Sequence, residues 1–307
     1  MSSLRLRRDA RDTAQRAALT GARAARRSRG WPRETLGQLT GHPVGLVGAA
    51  LVALLLVVAA AAPLIAPFDP VAQPARRLLR PDGQYLLGTD EFGRDILSRI
   101  IFGARVSLEV GVISVGIALI LGGTLGLVSG YYLGLVDALV QRVVDIFLAF
   151  PSIILIIFLA SVLGPSLSTA MIAIGIAYAP GFARIARGPT LSVMQMQYVE
   201  AARAIGVRPR RIMLRYVLPN IAGPVIVQTT LAFSTAILAE ASLSFLGLGT
   251  QPPAPSWGTM LGTGRQYMEL APWVAVFPGL AIALAVLGFN LLGDALRDAL
   301  DPTMRGA

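Results

Sequence analysis

Two acidic residues, Asp145 and Glu240, lie inside long apolar stretches of the sequence, near their ends. An ionised carboxylate inside such a stretch is unfavourable unless it is paired or solvated. Glu240 could attract a cationic group of a solute, or it could tie its helix to the following loop through a hydrogen bond, and the second role is favoured. Asp145 follows Arg142 by three residues, a spacing that predicts an ion pair on one helix face. A solute-contacting role at a pathway or outer gate is the alternative for both residues.

Several kinds of chemistry are excluded by residues that the chain lacks. It contains no cysteine, so disulfides, iron–sulfur clusters and thiolate zinc sites are ruled out, and its single histidine, His42, cannot form a histidine-pair metal site. It also contains no lysine, which the phosphate-binding loop of a conventional ATPase requires. We therefore expect no catalytic residue, cofactor or metal in this chain, and ATP could act only through a partner.

The elements that must position these residues are transmembrane helices. The mean hydropathy is +0.65, with 54% apolar and only 14% charged residues. A helix needs about 20 apolar residues to cross a bilayer. Six stretches qualify, at roughly 44–66, 110–130, 143–163, 167–183, 221–243 and 273–292. The sequence thus predicts an all-α polytopic membrane protein with six spans, whose third span contains Pro151 and whose fourth contains Pro180.

The arginines predict the orientation of the chain. All 27 basic residues are arginine, and most lie in 1–43 and 184–220. Basic residues accumulate in cytoplasmic segments, so both termini are predicted to be cytoplasmic. A pI near 11 could also indicate nucleic-acid binding, but a topology signal and a surface facing anionic lipid explain it better.

Two features belong to the predicted second span, one before it and one within it. Residues Phe92–Arg105 have helical spacing, with Asp95 and Arg99 on a polar face, which predicts a helix that lies at the membrane interface and leads into the second span. Within the span, Gly122, Gly126 and Gly130 recur every four residues. Such a ridge lets another helix approach closely, either from this chain or from a partner.

The polar, basic segment 188–220 predicts two short helices around a glycine hinge. Helical propensity extends from Met194 to Ile205, Gly206 breaks the helix, Pro209 opens a second, and Pro219 is expected to end it. The run Glu200-Ala201-Ala202, followed by Gly206 and by Leu218-Pro219, resembles the EAA loop of ABC importer permeases. Tyr216 departs from the isoleucine that is common in that family.

Three further blocks narrow this resemblance. Leu87–Leu108, Ile237–Gly258 and Asn290–Pro302 are similar to ordered blocks of the C-type permease of dipeptide and oligopeptide importers. The resemblance implies the type I permease fold of ABC importers. The predicted organisation begins with a basic cytoplasmic tail at 1–43 and a first span at 44–66. An extracytoplasmic segment with an interfacial helix follows at 67–105. The five-helix core at 106–302 includes loop 188–220, and a C-terminal tail occupies 303–307.

The resemblance also implies partners. They are a homologous B-type permease, two ATPase subunits that bind ATP and Mg²⁺, an extracytoplasmic solute-binding protein, a peptide substrate and the inner-membrane lipid, with no nucleic acid. Residues with an implied role in coupling to the ATPases are Glu200, Ala201, Ala202, Arg203, Gly206, Arg210, Arg211, Leu218 and Pro219. The alternative for these residues is an ordinary solvated loop.

Other functions remain as rivals. Nickel or another small solute could pass through the same type of permease. A secondary transporter would need centrally placed acids for ion coupling, which Asp145 and Glu240 are not. A membrane-embedded hydrolase lacks a plausible catalytic set.

Overall fold

The structure is a computed structural model that describes residues 43–300. The predicted tails at 1–43 and 303–307, apart from Pro43, lie outside the described residues, as do Asp301 and Pro302. Within the described range, ten α-helices are joined by turns, without a β-strand beyond one isolated bridge between Thr89 and Asp95. The all-α prediction is confirmed for this part of the chain.

The helices follow one another along the chain in a simple order. They are α1 (Pro43–Ile65), α2 (Ile96–Tyr132), α3 (Gly134–Leu148), α4 (Ser152–Leu163), α5 (Leu167–Met194), α6 (Gln197–Ala204), α7 (Pro209–Ile212), α8 (Leu218–Phe245), α9 (Trp257–Gly264) and α10 (Trp273–Leu300). Five helical stretches are long and apolar enough to cross a membrane: α1, α2, α5, α7–α8 together and α10. The pair α3–α4 gives a sixth span if it is counted as one.

Helix α2 includes most of the segment that was predicted to form an interfacial helix leading into the second span. It runs without a break for 37 residues, so at 1.5 Å per residue it is about 55 Å long and exceeds the hydrocarbon core of roughly 30 Å. Asp95 caps its first turn, because its carboxylate accepts hydrogen bonds from the backbone and hydroxyl of Ser98. From Ile96 onward the segment therefore leads directly into the second span, as predicted, since no proline interrupts the chain between the cap and Tyr132.

The third predicted span, 143–163, is broken. Helix α3 ends at Leu148, α4 begins at Ser152, and the two axes differ by 88°. Pro151 explains the break, because it has no N–H to donate and it disfavours helical dihedrals in the preceding residue. By contrast, Pro180 lies inside α5 without ending it.

The glycine ridge of α2 packs against α5 of the same chain. A Cβ atom at Gly122 would overlap the carbonyl oxygen of Ala179, and one at Gly126 would overlap that of Ala183. At Gly130 it would lie 2.8 Å from Cγ2 of Thr190. The backbones of the two helices are thus in direct contact along two turns, which confirms the small-residue packing and identifies the neighbour.

Helix α8 begins with a wide turn that accommodates Pro219. Residues Met213–Val217 form a π-helical turn in which the N–H of Leu218 donates to the carbonyl of Met213. Pro219 then lies in the first turn of α8, where a missing N–H is tolerated. The expectation that Pro219 ends the preceding helix is wrong, because the π turn absorbs the missing hydrogen bond and the chain stays helical from Pro209 to Phe245.

Helices α1 and α10 close the bundle through small residues. A Cβ atom at Gly48 of α1 would lie 2.5 Å from the backbone nitrogen of Leu292, and one at Gly288 of α10 would lie 2.9 Å from Cβ of Leu51. Phe289 of α10 stacks on Phe233 of α8 with ring centroids 5.0 Å apart. These contacts attach α1 and α10 to the helices that form the core.

Adjacent glycines of α2 allow a matched test of the ridge. We expect Gly122→Ala to destabilise the protein by about 1–3 kcal/mol, because the added methyl group meets backbone that cannot move aside. In Gly123→Ala the methyl group would meet only Cδ1 of Leu119 at 3.6 Å, so this control should be neutral or gain about 0.5–1 kcal/mol. Thermal unfolding in detergent measures both, and equal melting temperatures for the two variants would contradict the packing.

Candidate functional site

Helix α6 is seated on the ends of α2 and α5. Val199 and Ala202 are its buried residues, and they join an apolar cluster with Leu127 and Tyr131 of α2 and Val193 of α5. Arg203 of α6 lies over the ring of Tyr131, with its guanidinium carbon 5.3 Å from the ring centre. The short helix is therefore fixed to the spans by side-chain packing.

The remaining face of α6 is exposed. Glu200 and Ala201 point away from the bundle together with the apolar side chains of Tyr198 and Ile205, the latter 80% exposed. Tyr198, Ala201 and Ile205 are spaced three and four residues apart, so they form one apolar stripe beside the Glu200 carboxylate. Such a stripe at the surface is suited to a partner rather than to water.

Ala202 differs from its predicted role. It was expected to contact a partner next to Ala201, but only 4% of it is exposed and it packs in the cluster beneath α6. One helical step rotates the side chain by about 100°, and this rotation turns Ala202 toward the bundle while Ala201 faces outward. Ala202 holds α6 in place, and Ala201 is the exposed member of the pair.

Gly206 ends α6 in a Schellman motif. Its φ is +76°, its N–H donates to the carbonyl of Arg203, and the N–H of Val207 donates to that of Ala202. Val207 then packs on the same apolar cluster as Ala202. The predicted glycine break is confirmed, and glycine is suited to it because other residues rarely adopt a positive φ.

The other residues predicted for this region lie on the surface around α6. Arg210, Arg211, Leu218 and Pro219 are exposed. Among the described residues neither Arg210 nor Arg211 forms an ion pair. Both guanidinium groups are thus available to acidic groups of another molecule.

Glu240 is completely buried, and one of its oxygens is a shared hydrogen-bond acceptor. Oε1 accepts from the hydroxyl groups of Ser244 at 2.6 Å, Thr250 at 3.2 Å and Ser256 at 2.9 Å. Ser244 belongs to α8, whereas Thr250 and Ser256 belong to the loop between α8 and α9. The favoured prediction, that Glu240 ties its helix to the following loop, is confirmed, whereas its role at a pathway stays a prediction.

Asp145 has a different partner from the predicted one. Its Oδ1 accepts a hydrogen bond from Nη2 of Arg184 at 2.6 Å, so the expected pair with Arg142 is wrong. Asp137, two turns earlier on α3, accepts hydrogen bonds from Nε and Nη2 of Arg187. The two pairs join α3 to α5. Spacing along the chain gave no signal of these pairs, because the partners lie 39 and 50 residues apart.

At the opposite end of the bundle, Asp90 organises the segment before α2. Its Oδ1 accepts hydrogen bonds from the backbone N–H groups of Phe92 and Arg94, each at 2.9 Å, and its Oδ2 accepts from Nε of Arg94 at 2.6 Å. Arg94 also pairs with Glu91 at 3.2 Å. Sequence reasoning missed this cluster, although an acid and a base four residues apart indicated it.

Arg99 connects that segment to the loop before α9. Its Nη1 donates to the carbonyl groups of Pro70 at 2.9 Å and Pro253 at 3.4 Å, and its Nε lies 3.5 Å from Oδ2 of Asp90. Arg99 and Asp95 are both buried. Asp95 and Arg99, which were predicted to share the polar face of an interfacial helix, therefore lie in the interior, where both side chains satisfy backbone groups.

Comparison with known proteins places this arrangement among transport permeases. Residues 122–306 match the family described as the binding-protein-dependent transport system inner membrane component, and residues 31–81 match the N-terminal TM domain of oligopeptide transport permease C. The dipeptide transport system permease protein DppC of Alkalihalophilus pseudofirmus is 47% identical over 89% of this chain and 90% of its own length.

Two further similarities extend the comparison. The glutathione transport system permease protein GsiD of Pectobacterium atrosepticum is 46% identical over 73% of this chain and 75% of its own length. Among solved structures, an inward-facing MetNI methionine ABC transporter superimposes with a TM-score of 0.53 and 22% identity, over 67% of this chain and 98% of that one. The structural similarity supports the permease fold.

The hydrogen bonds of Glu240 generate a prediction about stability. Glu240→Ala should lower the free energy of unfolding by about 3 kcal/mol, because three hydroxyl groups lose their acceptor and a cavity opens. Glu240→Gln keeps an acceptor oxygen and should cost less. Thermal unfolding in detergent compares the two, with the exposed Glu109→Ala as control. Equal melting temperatures for Glu240→Ala and the control would contradict a stabilising role for these hydrogen bonds.

Burial of Glu91 predicts that the stability of the folded chain depends on pH. Desolvation, followed by the negative charge of Asp90, raises the pKa of Glu91 above its ordinary value of 4.5, although Arg94 opposes the shift. The folded chain holds this proton more tightly than the unfolded chain does. The resulting stability is present below about pH 4.5 and is lost as the pH rises through the raised pKa.

Glu91→Gln is uncharged throughout this range, so it should remove the pH-dependent loss. We expect the melting temperature of the variant, relative to the unmodified protein, to rise between about pH 4.5 and pH 7. The same change at the exposed Glu269 serves as control. A constant difference in melting temperature across this range would show that Glu91 does not titrate as described.

Proposed function

The chain belongs to the family of binding-protein-dependent transport system inner membrane components, among the C-type permeases of ABC importers, and we propose that it forms half of a membrane pathway for peptides. A homologous B-type permease would supply the other half. Relatives named as dipeptide and glutathione permeases support a peptide substrate over nickel or another small solute. In this assignment the chain performs no bond chemistry.

The partners follow from the same assignment. Two ATPase subunits would bind ATP and Mg²⁺ and attach to the end of the bundle that carries α6. A solute-binding protein would meet the opposite end, which carries the segment before α2 and the loop before α9. With α6 at the inner-membrane surface facing the cytoplasm, both termini of the chain are cytoplasmic, in agreement with the distribution of arginine.

The observation that carries this proposal is the exposed face of α6. On this face the charged Glu200 and the small Ala201 lie beside the large side chains of Tyr198 and Ile205. A helix with this surface can enter a groove of another protein, where Ala201 allows close approach and Glu200 can pair with a basic group. Arg203, Arg210 and Arg211 would surround the contact and attract acids of the ATPase.

The seating of α6 gives the contact a mechanical consequence. Because Val199 and Ala202 pack on the ends of α2 and α5, a displacement of α6 moves those spans with it. Closure of the ATPase subunits on ATP would therefore rock the spans between two packed arrangements, and hydrolysis would return them. Close packing is sufficient for this coupling, because a packed interior is hardly compressible and therefore transmits a displacement from α6 to the spans.

Glu200→Ala and Gly206→Val test the coupling contact. Glu200→Ala removes a charge at the docking surface, and Gly206→Val disfavours the left-handed turn that ends α6. Each should reduce ATP-dependent uptake about tenfold or more, the effect of losing roughly 1.4 kcal/mol of docking energy. Uptake is measured in proteoliposomes that contain the complete importer, together with the amount of ATPase that co-purifies.

The exposed Glu269→Ala, at the other end of the bundle, provides the matched control for loss of a surface carboxylate. All three variants should insert into the membrane normally, because none of these positions is buried. Normal uptake by Glu200→Ala and Gly206→Val would refute the coupling role. If the unmodified protein is isolated without any ATPase, the importer assignment itself fails.

A further inference from the structure

A cavity of about 300 Å³ lies beside the break between α3 and α4, near the middle of α5 and α8. Polar side chains line it in the middle of otherwise apolar spans: Ser152 of α4, Tyr178 of α5, and Gln228 and Thr235 of α8. Tyr178 and Gln228 are half-buried and Thr235 is exposed, so the cavity opens at the surface of the chain. None of the described residues that line it is charged.

The polar groups of this cavity retain capacity for further hydrogen bonds. The Tyr178 hydroxyl donates to the carbonyl of Thr235 at 3.2 Å, and the Thr235 hydroxyl donates to that of Ala232 at 3.0 Å, which leaves both oxygens able to accept. The side chains of Gln228 and Ser152 have no hydrogen-bond partner within residues 43–300. An unpaired amide at this depth in a membrane is unfavourable, so a partner for Gln228 is expected from outside the chain.

The broken span is a second, independent observation at the same place. Irregular backbone within a membrane is tolerated only where it is buried in protein or lines a wet cavity. Residues 149–151 are exposed, and the cavity touches both sides of the break, at Leu148 and Ser152. In secondary transporters, interrupted helices near the midplane are a recurring site of solute contact, and the same physical constraint on irregular backbone applies here.

From these observations we infer that the cavity is a solute-contact site that hydrogen-bonds the amide groups of a peptide, with Gln228 as its principal donor and acceptor. This inference rests on the proposed function. A glutamine amide matches the peptide group because each has one N–H side and one C=O side. The uncharged lining suits the peptide backbone, which all peptides share, and it does not select among charged side chains.

Gln228 has a further property that fits this role. It also lines a second cavity, of about 450 Å³, whose wall includes Pro224 of α8 and Arg297 of α10, nearer to the end of the bundle that carries α6. Gln228 therefore belongs to the walls of two successive cavities on one side of α8. A peptide that moves from the first cavity toward the cytoplasm would pass this side chain.

The absence of cysteine from the sequence permits a direct test of contact. Gln228→Cys introduces one thiol into this chain, and Ile226→Cys provides a control at an exposed position on α8 outside both cavity walls. The complete importer is reconstituted with its binding protein and labelled with a maleimide during ATP hydrolysis, with and without a mixture of dipeptides. Labelling is measured on the tagged chain by mass spectrometry.

We expect the dipeptides to slow labelling of Gln228→Cys by about threefold or more and to leave Ile226→Cys unchanged, since occupancy protects only the thiol in contact. In a parallel experiment, Gln228→Leu should lower peptide uptake per ATP hydrolysed about tenfold, the loss expected for one buried hydrogen bond. Thr229→Val is the control, because the Thr229 hydroxyl donates to Val225 within the helix and lies outside the cavity.

Unprotected labelling of Gln228→Cys, or unchanged uptake by Gln228→Leu, would overturn the inference. Loss of the second permease from the purified Gln228→Leu complex would also overturn it, because Gln228 would then be a contact between subunits. Uptake of dipeptides by the unmodified importer is measured first. If that uptake is absent, the proposed function fails and the inference falls with it; if it is present, the two Gln228 variants decide the inference alone.

Discussion

The close approach of α2 and α5 is the contact on which the rest of the structure depends. Gly122, Gly126 and Gly130 bring the two helix backbones together over two turns, and any side chain larger than hydrogen at the first two positions would meet carbonyl oxygens. In a bilayer, lipid chains are as apolar as leucine, so burial of apolar surface does little to hold helices together. Steric fit of this kind is what specifies the neighbour and its register.

Both ends of this helix pair carry attachments that depend on its register. At one end Tyr131 of α2 and Val193 of α5 form the seat for α6. At the other end Arg99, in the first turn of α2, links two loops through the carbonyls of Pro70 and Pro253. The fully buried Glu240 holds the same loop from α8. A shift of α2 relative to α5 would misalign the residues that hold α6. A shift of α2 relative to α8 would separate Arg99 from the loop that Glu240 holds.

The sequence predicted features that depend on local periodicity and failed where distant residues decide. Apolar length identified the spans, and Gly206 identified the end of α6, since both signals are contained in a few consecutive residues. The partner of Asp145 could not be found this way, because Arg184 lies 39 residues away and only the packing of α3 on α5 brings them together. Pro219 was misjudged because the π turn before it accommodates the missing N–H. Ala202 was assigned to the wrong surface because a motif specifies residue types, whereas the rotation of a helix decides which of them is buried.

Helix α5 connects the proposed coupling contact with the proposed solute site. It carries Tyr178 in the wall of the mid-membrane cavity, the ridge contacts at Ala179 and Ala183, and Val193 beneath α6. Because α2 and α5 touch through backbone, a displacement of α6 that moves one of them would move the other, and it would reach Tyr178 along α5. Gln228 lines the same cavity from α8. The break between α3 and α4 leaves this cavity open on one side. Movement of α5 relative to α8 would therefore change the width of this cavity, so the same packing that fixes the fold also makes the solute site sensitive to events at α6.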